Sequence, residues 1–192
     1  MVDHKGTLEI ETERVLLRRF VESDAEDIFH NWASDSSVTR YLSWQAHSSI
    51  DVSKEILASW LKAYEDKEFY NWAIVLKEQG KAIGSVGVVD FSNGHQRCEI
   101  GYCIGKGYWN KGIMTEVLSS VIKFMISEVG FNRVQAIHHS DNPASGRVMI
   151  KAGMKHEGRL RAFHVNNRGE FTDCDMYSIL KDEYLNKELP WQ

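Results

Sequence analysis

The residues from Glu99 to Leu118, EIGYCIGKGYWNKGIMTEVL, join a strand pattern to a glycine-bearing loop and a helix start. A loop that enters a helix exposes several unpaired backbone N–H groups. The positive end of the helix dipole adds to them, so the turn suits a phosphate. An ordinary strand-to-helix turn has the same spacing. Two nucleotide loops fail on inspection. Gly107 and Gly112 have the spacing of the Walker loop, but Ile113-Met114 replace the Lys-Ser/Thr that would meet phosphate and magnesium. Gly105 and Gly107 begin a dinucleotide fingerprint, but Asn110 stands where the third glycine belongs. No G-x-S-x-G nucleophile elbow and no H-E-x-x-H metal motif occurs. His138 and His139 are adjacent on a strand pattern, so they point to opposite faces and do not share one metal.

A second chemical cluster follows at Asn142-Pro143-Ala144-Ser145. Asn is a favoured helix N-cap, and Pro at the first helical position loses only an N–H that would be unpaired anyway. Gly153 then falls where a helix-ending glycine would. Helix capping alone therefore accounts for Pro143 and Gly153. Arg147 and Lys151 stand four residues apart on one face of this helix, where they meet either solvent or a phosphate.

With these residues in view, the chain resembles the GNAT acyltransferases, whose acetyl-coenzyme A loop runs Gln/Arg-x-x-Gly-x-Gly/Ala into a central helix. Trp109-Asn110-Lys111-Gly112-Ile113-Met114 occupy that loop here, and only Gly112 keeps the general pattern. YWNKGIMTEVL, the preceding EIGY, DNPASGRVMIKAGM and the opening RVLLRRFVESDAEDIF are similar to the RimJ/RimL-like branch, which acetylates the N-termini of ribosomal proteins. The resemblance covers nearly the whole chain.

The resemblance implies acetyl-CoA as co-substrate and an amine as acceptor, a protein N-terminus or a small amine such as a polyamine, amino acid or aminoglycoside. A non-catalytic acyl-CoA-binding regulator is the rival of another class. It assigns the cofactor to Tyr102, Cys103, Ile104, Trp109, Asn110, Lys111, Gly112, Ile113, Met114 and Thr115. Asn142 would bond the pantetheine arm, and Arg147 with Lys151 would meet the adenosine 3′-phosphate. Residues 21–69 would lie over the acceptor.

Acetyl transfer to an amine needs a neutral nitrogen, a group that takes its proton, and donors for the tetrahedral oxyanion. Backbone N–H groups of the Glu99–Ile104 strand would supply the donors, in a splayed parallel strand pair. Ser145 would stand near the thioester sulfur and protonate the departing thiolate. For the base, His164, Glu99 and His138 are all candidates. Proximity in a ternary complex, with direct attack by the amine, supplies much of the rate.

The elements that must hold these residues follow from periodicity. RVLLRRF at 14–20 predicts a strand, and Ser23-Asp24 an N-cap before a helix over 25–33. A short helical turn is expected at 38–42. Ile56, Leu57, Trp60, Leu61 and Tyr64 recur at helical spacing within 49–64. Strands at 70–77, 82–91 and 96–104 predict an antiparallel meander. Residues 113–129 form a broadly apolar helix, 133–140 a strand, 143–152 a short helix, and 153–165 with 171–180 two closing strands. The fold class is α/β: a GNAT fold with a mixed, mostly antiparallel sheet of about seven strands and about four flanking helices. Strand, helix and strand over 97–140 form a parallel crossover.

With 192 residues, 43% hydrophobic and 26% charged, the whole chain (1–192) reads as one globular domain able to bury a core. Lys and Arg number 23 against 27 Asp and Glu, a net charge of −4, so no broad basic field exists for nucleic acid. The three cysteines lack metal or disulfide spacing and read as reduced thiols of a cytoplasmic protein. No signal peptide and no membrane-length apolar run is present. The oligomeric state is open, a homodimer included. Only Pro143 and Pro190 are prolines, so one proline lies inside the folded body.

Overall fold

The computed structural model describes residues 2–187. Eight strands form one sheet in the order β1-β2-β3-β4-β5-β6-β8-β7. They are β1 (Ile10–Glu11), β2 (Val15–Arg18), β3 (Asn71–Leu76), β4 (Lys81–Ser92), β5 (Arg97–Ile104), β6 (Arg133–His139), β7 (Lys155–Val165) and β8 (Phe171–Leu180). The helices are α1 (Ala25–Ile28), α2 (Ser36–Thr39), α3 (Ile50–Ala63), α4 (Ile113–Lys123), α5 (Pro143–Lys151) and α6 (Lys181–Lys187). Neighbouring strands run antiparallel except β5 and β6, which are parallel and joined through α4. No helix among the described residues is long and apolar enough to cross a membrane.

The mixed α/β architecture and its crossover match the sequence reading. Two elements escape it. Strand β1 has two residues, too few to show alternation, and α6 follows β8 without a break. The predicted cap at Ser23-Asp24 also needs correction. A 3-10 turn already occupies Glu22–Asp24. The Asp24 carboxylate instead accepts the Val21 N–H at 2.8 Å and pairs with the Arg18 guanidinium at 2.7 and 2.8 Å. Asp24 is almost fully buried, which its paired cation and three hydrogen bonds make tolerable. The helix beyond α1 continues as a π-helical stretch, Phe29–Ala33.

The sheet separates two apolar layers. On one face α4 lays Ile113, Met114, Val117, Leu118, Val121 and Ile122 against the strands, all of them buried. Each such side chain contributes about 1.5–3 kcal/mol on burial. The other face packs Phe20, Ile28, Trp32 and Leu57 of the N-terminal helices and loops against Ala73, Val75 and Ala82. This division follows from strand alternation: Trp72 and Ile74 face the α4 layer, while Ala73 and Val75 face the other.

The two layers meet at Gly105, where β5 ends. A Cβ there would lie 2.3 Å from the Asn31 carbonyl oxygen of the π-helical stretch. Only glycine lets the loop after β5 pass this backbone. Gly105→Ala is therefore expected to destabilise the fold by about 1–3 kcal/mol, as overpacking does. Urea unfolding checks it; an unchanged midpoint would show that the loop yields without cost.

Candidate active site

Strands β5 and β6 pair over three residues only. Arg97, Cys98 and Glu99 align with Arg133, Val134 and Gln135, and past that point the strands part. A parallel pair that parts leaves backbone groups of β5 without a strand partner, and these need another acceptor or donor. Two cavities reach this gap. One, of about 480 Å³, is lined from Tyr102 to Met114 along the loop into α4 and from Asp141 to Lys151 along α5. The other, of about 460 Å³, lies among Trp32, Trp44, Trp60, Phe69 and the β4–β5 strands. Leu42, Tyr102 and Cys103 line both. The two spaces thus meet at the middle of the unpaired half of β5.

The first cavity has the features of an anion-ended arm site. Asn110 (φ 59°) and Gly112 (φ 75°) both adopt the left-handed region, and Gly112 is the N-cap of α4. Asn tolerates this conformation better than other side-chain residues, and Gly adopts it freely. The tight turn aims the first α4 N–H groups outward. A clamp from the β1–β2 turn holds it: Arg14 donates from Nε to Glu116 Oε2 at 2.6 Å, from its backbone N–H to Glu116 Oε1 at 2.9 Å, and from Nη1 to the Lys111 carbonyl at 2.7 Å. Burial pushes the Glu116 carboxyl up, but its bonds to Arg14 and Thr12 outweigh this and hold it below the ordinary glutamate range. Trp109 donates its indole N–H to the Ile104 carbonyl at 2.9 Å, fixing the loop to the end of β5.

On the facing wall, Asn142 Oδ1 accepts the Ser145 N–H at 3.4 Å and caps α5, leaving the Asn142 amide N–H₂ for another acceptor. Ser145 Oγ lies 2.8 Å from the Tyr102 hydroxyl. Burial pushes the Tyr102 phenol far up, so it stays protonated. Arg147 and Lys151 project along the same wall. Gly146 is enforced by packing: a Cβ there would lie 2.6 Å from His138 Nε2 and 3.2 Å from the Tyr177 hydroxyl. His138 itself is buried under α5, donates from Nδ1 to the His139 carbonyl at 2.7 Å, and lines neither cavity.

The structure therefore brings together Tyr102, Cys103, Ile104, Trp109, Asn110, Gly112, Ile113, Met114, Thr115, Asn142, Ser145, Arg147 and Lys151 around one space. Lys111 stands outside it; its ammonium lies over the Tyr108 ring, 5.6 Å from the centroid. Glu99 and His164 line neither cavity. Glu99 accepts a hydrogen bond from Gln135 Nε2 at 2.9 Å, and His164 sits on the edge strand β7 opposite Thr172, beyond a bulge.

The match to known proteins can now be weighed against this geometry. The family model described as an acetyltransferase (GNAT) domain matches residues 14–155. The chain belongs to the GNAT acetyltransferase family. With membership comes the reaction class, acetyl-CoA-dependent N-acetylation. The chain is similar to the uncharacterized N-acetyltransferase YoaA of Bacillus subtilis, at 34% identity over 90% of this chain and 96% of that protein. It is also similar to the [ribosomal protein uS5]-alanine N-acetyltransferase of Escherichia coli, at 32% identity over 41% of this chain and 42% of that one. Among solved structures, a GNAT acetyltransferase from Bacillus anthracis superposes with a TM-score of 0.79 at 26% identity, covering 92% of this chain and 100% of that one.

The two cavities reach the same stretch of β5 from different sides. Sequence reasoning missed two polar residues of the second cavity, Ser85 and His47. Ser85 Oγ lies 3.3 Å from Cys103 Sγ. His47 Nδ1 lies 2.8 Å from the hydroxyl of the fully buried Ser53. His47 belongs to the connection between α2 and α3, where no periodicity marks a position. The C-terminal hairpin closes over this connection: Asn167 Nδ2 donates to the Thr39 carbonyl at 3.0 Å and the Trp44 carbonyl at 3.4 Å.

Two outcomes test the cofactor wall. Glu116→Gln is expected to raise KM for acetyl-CoA about tenfold, since the turn loses its charged clamp. A folded-state pKa below the unfolded value gives stability that is present above about 4.3 and lost as pH falls through the folded value. The stability gap between wild type and variant should accordingly shrink in acid; a pH-independent gap would refute the clamp. Gly146→Ala should displace α5 and weaken acetyl-CoA binding, read by calorimetry, with thermal unfolding also lowered.

Proposed function

We propose that this protein transfers the acetyl group of acetyl-CoA to a primary amine, the N-terminal amine of a protein, by direct attack in a ternary complex. The observation that carries the reading is the meeting of two cavities at Tyr102 and Cys103, where β5 has parted from β6. One cavity offers a helix N-terminus, Arg147 and Lys151 for phosphates. The other brings an acceptor to the same strand from the second side. The similarity to an alanine N-acetyltransferase acting on a ribosomal protein supports a protein N-terminus as acceptor.

The residues fit acetyl-CoA by the chemistry of their donors. Loop 110–112 and the α4 N-terminus would hold the pyrophosphate, Arg147 and Lys151 the 3′-phosphate, and Asn142 Nδ2 an amide carbonyl of the pantetheine arm. Acetyl-CoA supplies an acyl carbon activated by its thioester. Backbone N–H groups of the unpaired β5 segment would steady the developing oxyanion. Ser145, bonded to the Tyr102 hydroxyl, would deliver a proton to the sulfur, with Tyr102 replenishing it. Cys103 is well placed to be acylated, yet burial pushes its thiol up, against the pull of the Ser85 bonds. A protonated thiol is a weak nucleophile, which favours direct transfer to the amine.

A thiol-release assay with acetyl-CoA against N-terminal peptides and small amines tests the acceptor. Turnover with peptides is expected; turnover with one small amine and no peptide would reject the protein-terminus reading. Ser145→Ala and Tyr102→Phe should each lower kcat about 10²-fold while acetyl-CoA still binds, in line with loss of a proton donor. Unchanged kcat in both would leave solvent as the donor.

A further inference from the structure

The acceptor cavity has an unusual electrical character. Among the described residues that line it there is no Asp, Glu, Lys or Arg. Its walls are Trp32, Trp44, Trp60, Phe69 and aliphatic side chains, with Ser43, Asn71 and Ser85 as the small polar groups. The other titratable side chains facing the space are Tyr70, Tyr102 and Cys103, and burial raises all three. They stay protonated near neutrality and accept no proton there. His47 is the remaining one. Its Nδ1 is held by Ser53, and its ring packs at 5.3 Å from Trp44. Burial lowers its pKa below the ordinary histidine value, so the imidazole is neutral near pH 7 and open to a proton.

We infer that the acceptor amine carries an apolar or aromatic side chain, and that His47 takes the proton this amine must lose. The inference rests on the acetyl-transfer reading above. Ring faces can hold one ammonium by cation–π attraction, but nothing in the cavity neutralises a second. A polyamine or aminoglycoside would bring several buried charges without partners. An N-terminal residue with an apolar side chain, or a free amine of that shape, brings one nitrogen and an apolar surface.

The proton count closes as follows. The neutral amine attacks the acyl carbon; the C–N bond forms and the nitrogen becomes positive and acidic. His47 Nε2 takes that proton and releases it to solvent. The C–S bond breaks, and the thiolate receives one proton from solvent through Tyr102 and Ser145. Amide and free thiol result, with no redox change. His47 is a catalytic residue in this scheme, and Ser53 a positioning residue for its ring.

The test is thiol release from acetyl-CoA with leucinamide, phenylalaninamide, Leu- and Phe-initiated tetrapeptides, and spermidine. The apolar amines should exceed spermidine at least tenfold in kcat/KM, and the peptide and amide arms separate a protein terminus from a free small amine. Preference for spermidine would overturn the acceptor class and leave the transferase reading standing. No thiol release with any amine, while acetyl-CoA still raises the melting temperature, would overturn the transferase reading itself. For the base, kcat/KM is referred to the neutral fraction of the amine. Wild type should then lose activity as pH falls through the depressed His47 value. His47→Gln should fall about 10²-fold at pH 7.5 and lose that acid limb. Ser53→Ala keeps the imidazole and should shift the limb, which covers the case in which His47→Gln does not fold. Wild-type kcat/KM in His47→Gln, or an acid limb kept unchanged in both variants, would overturn the role.

Discussion

The separation of β5 from β6 is the constraint on which the rest of the molecule depends. A parallel pair that stops after three residues is costly unless something else meets the freed backbone groups. The molecule spends its other devices on holding this gap open without collapse. Gln135 ties Glu99 at the last paired residue, and Trp109 is pinned to the carbonyl at the far end of the strand. Helix α5 stands across the opening, kept close by Gly146 and capped by Asn142. The α4 core fixes the loop at its root, and Arg14 reaches from the N-terminal hairpin to lock it. Each of these acts over a few ångströms, yet all serve one opening.

What could be read from the sequence divides along physical lines. Helix α4 is buried on a broad stripe, so its periodicity shows. Asn142-Pro143 is local capping chemistry, so it shows as well. The loop residues from Trp109 to Thr115 are contiguous, and a contiguous stretch carries its own pattern. The second cavity is different. Its residues come from segments as far apart as Ile28 and Cys103, and no local rule joins them. His47 is one of several polar residues in an irregular connection, and only the fold sets it against Ser53 and Trp44. Glu99 and His164 stand out by residue type alone; only the fold shows that Gln135 engages the first and that the second lies beyond a bulge on an edge strand. The N-terminal helix is legible as a helix, while its π-helical continuation over Phe29–Ala33 leaves no mark in the periodicity.

The net charge of −4 conceals a local contrast. Arg147 and Lys151 gather on the wall of the first cavity, while no Asp, Glu, Lys or Arg lines the second. In a neutral, partly water-excluded space, small dipoles such as backbone N–H groups and the Ser85 hydroxyl act more strongly than they would in solvent.

The sheet itself acts as a partition with one window. The first cavity is lined from three stretches, 37–42, 102–115 and 141–151, and the second by scattered residues of the N-terminal helices, their loops and β3–β5. Trp44, Trp60 and Phe69 line the second cavity alone, so substitutions there leave the lining of the first unchanged. Replacements at such positions would alter what can reach β5 from that side while the loop into α4 and helix α5 keep their own lining residues.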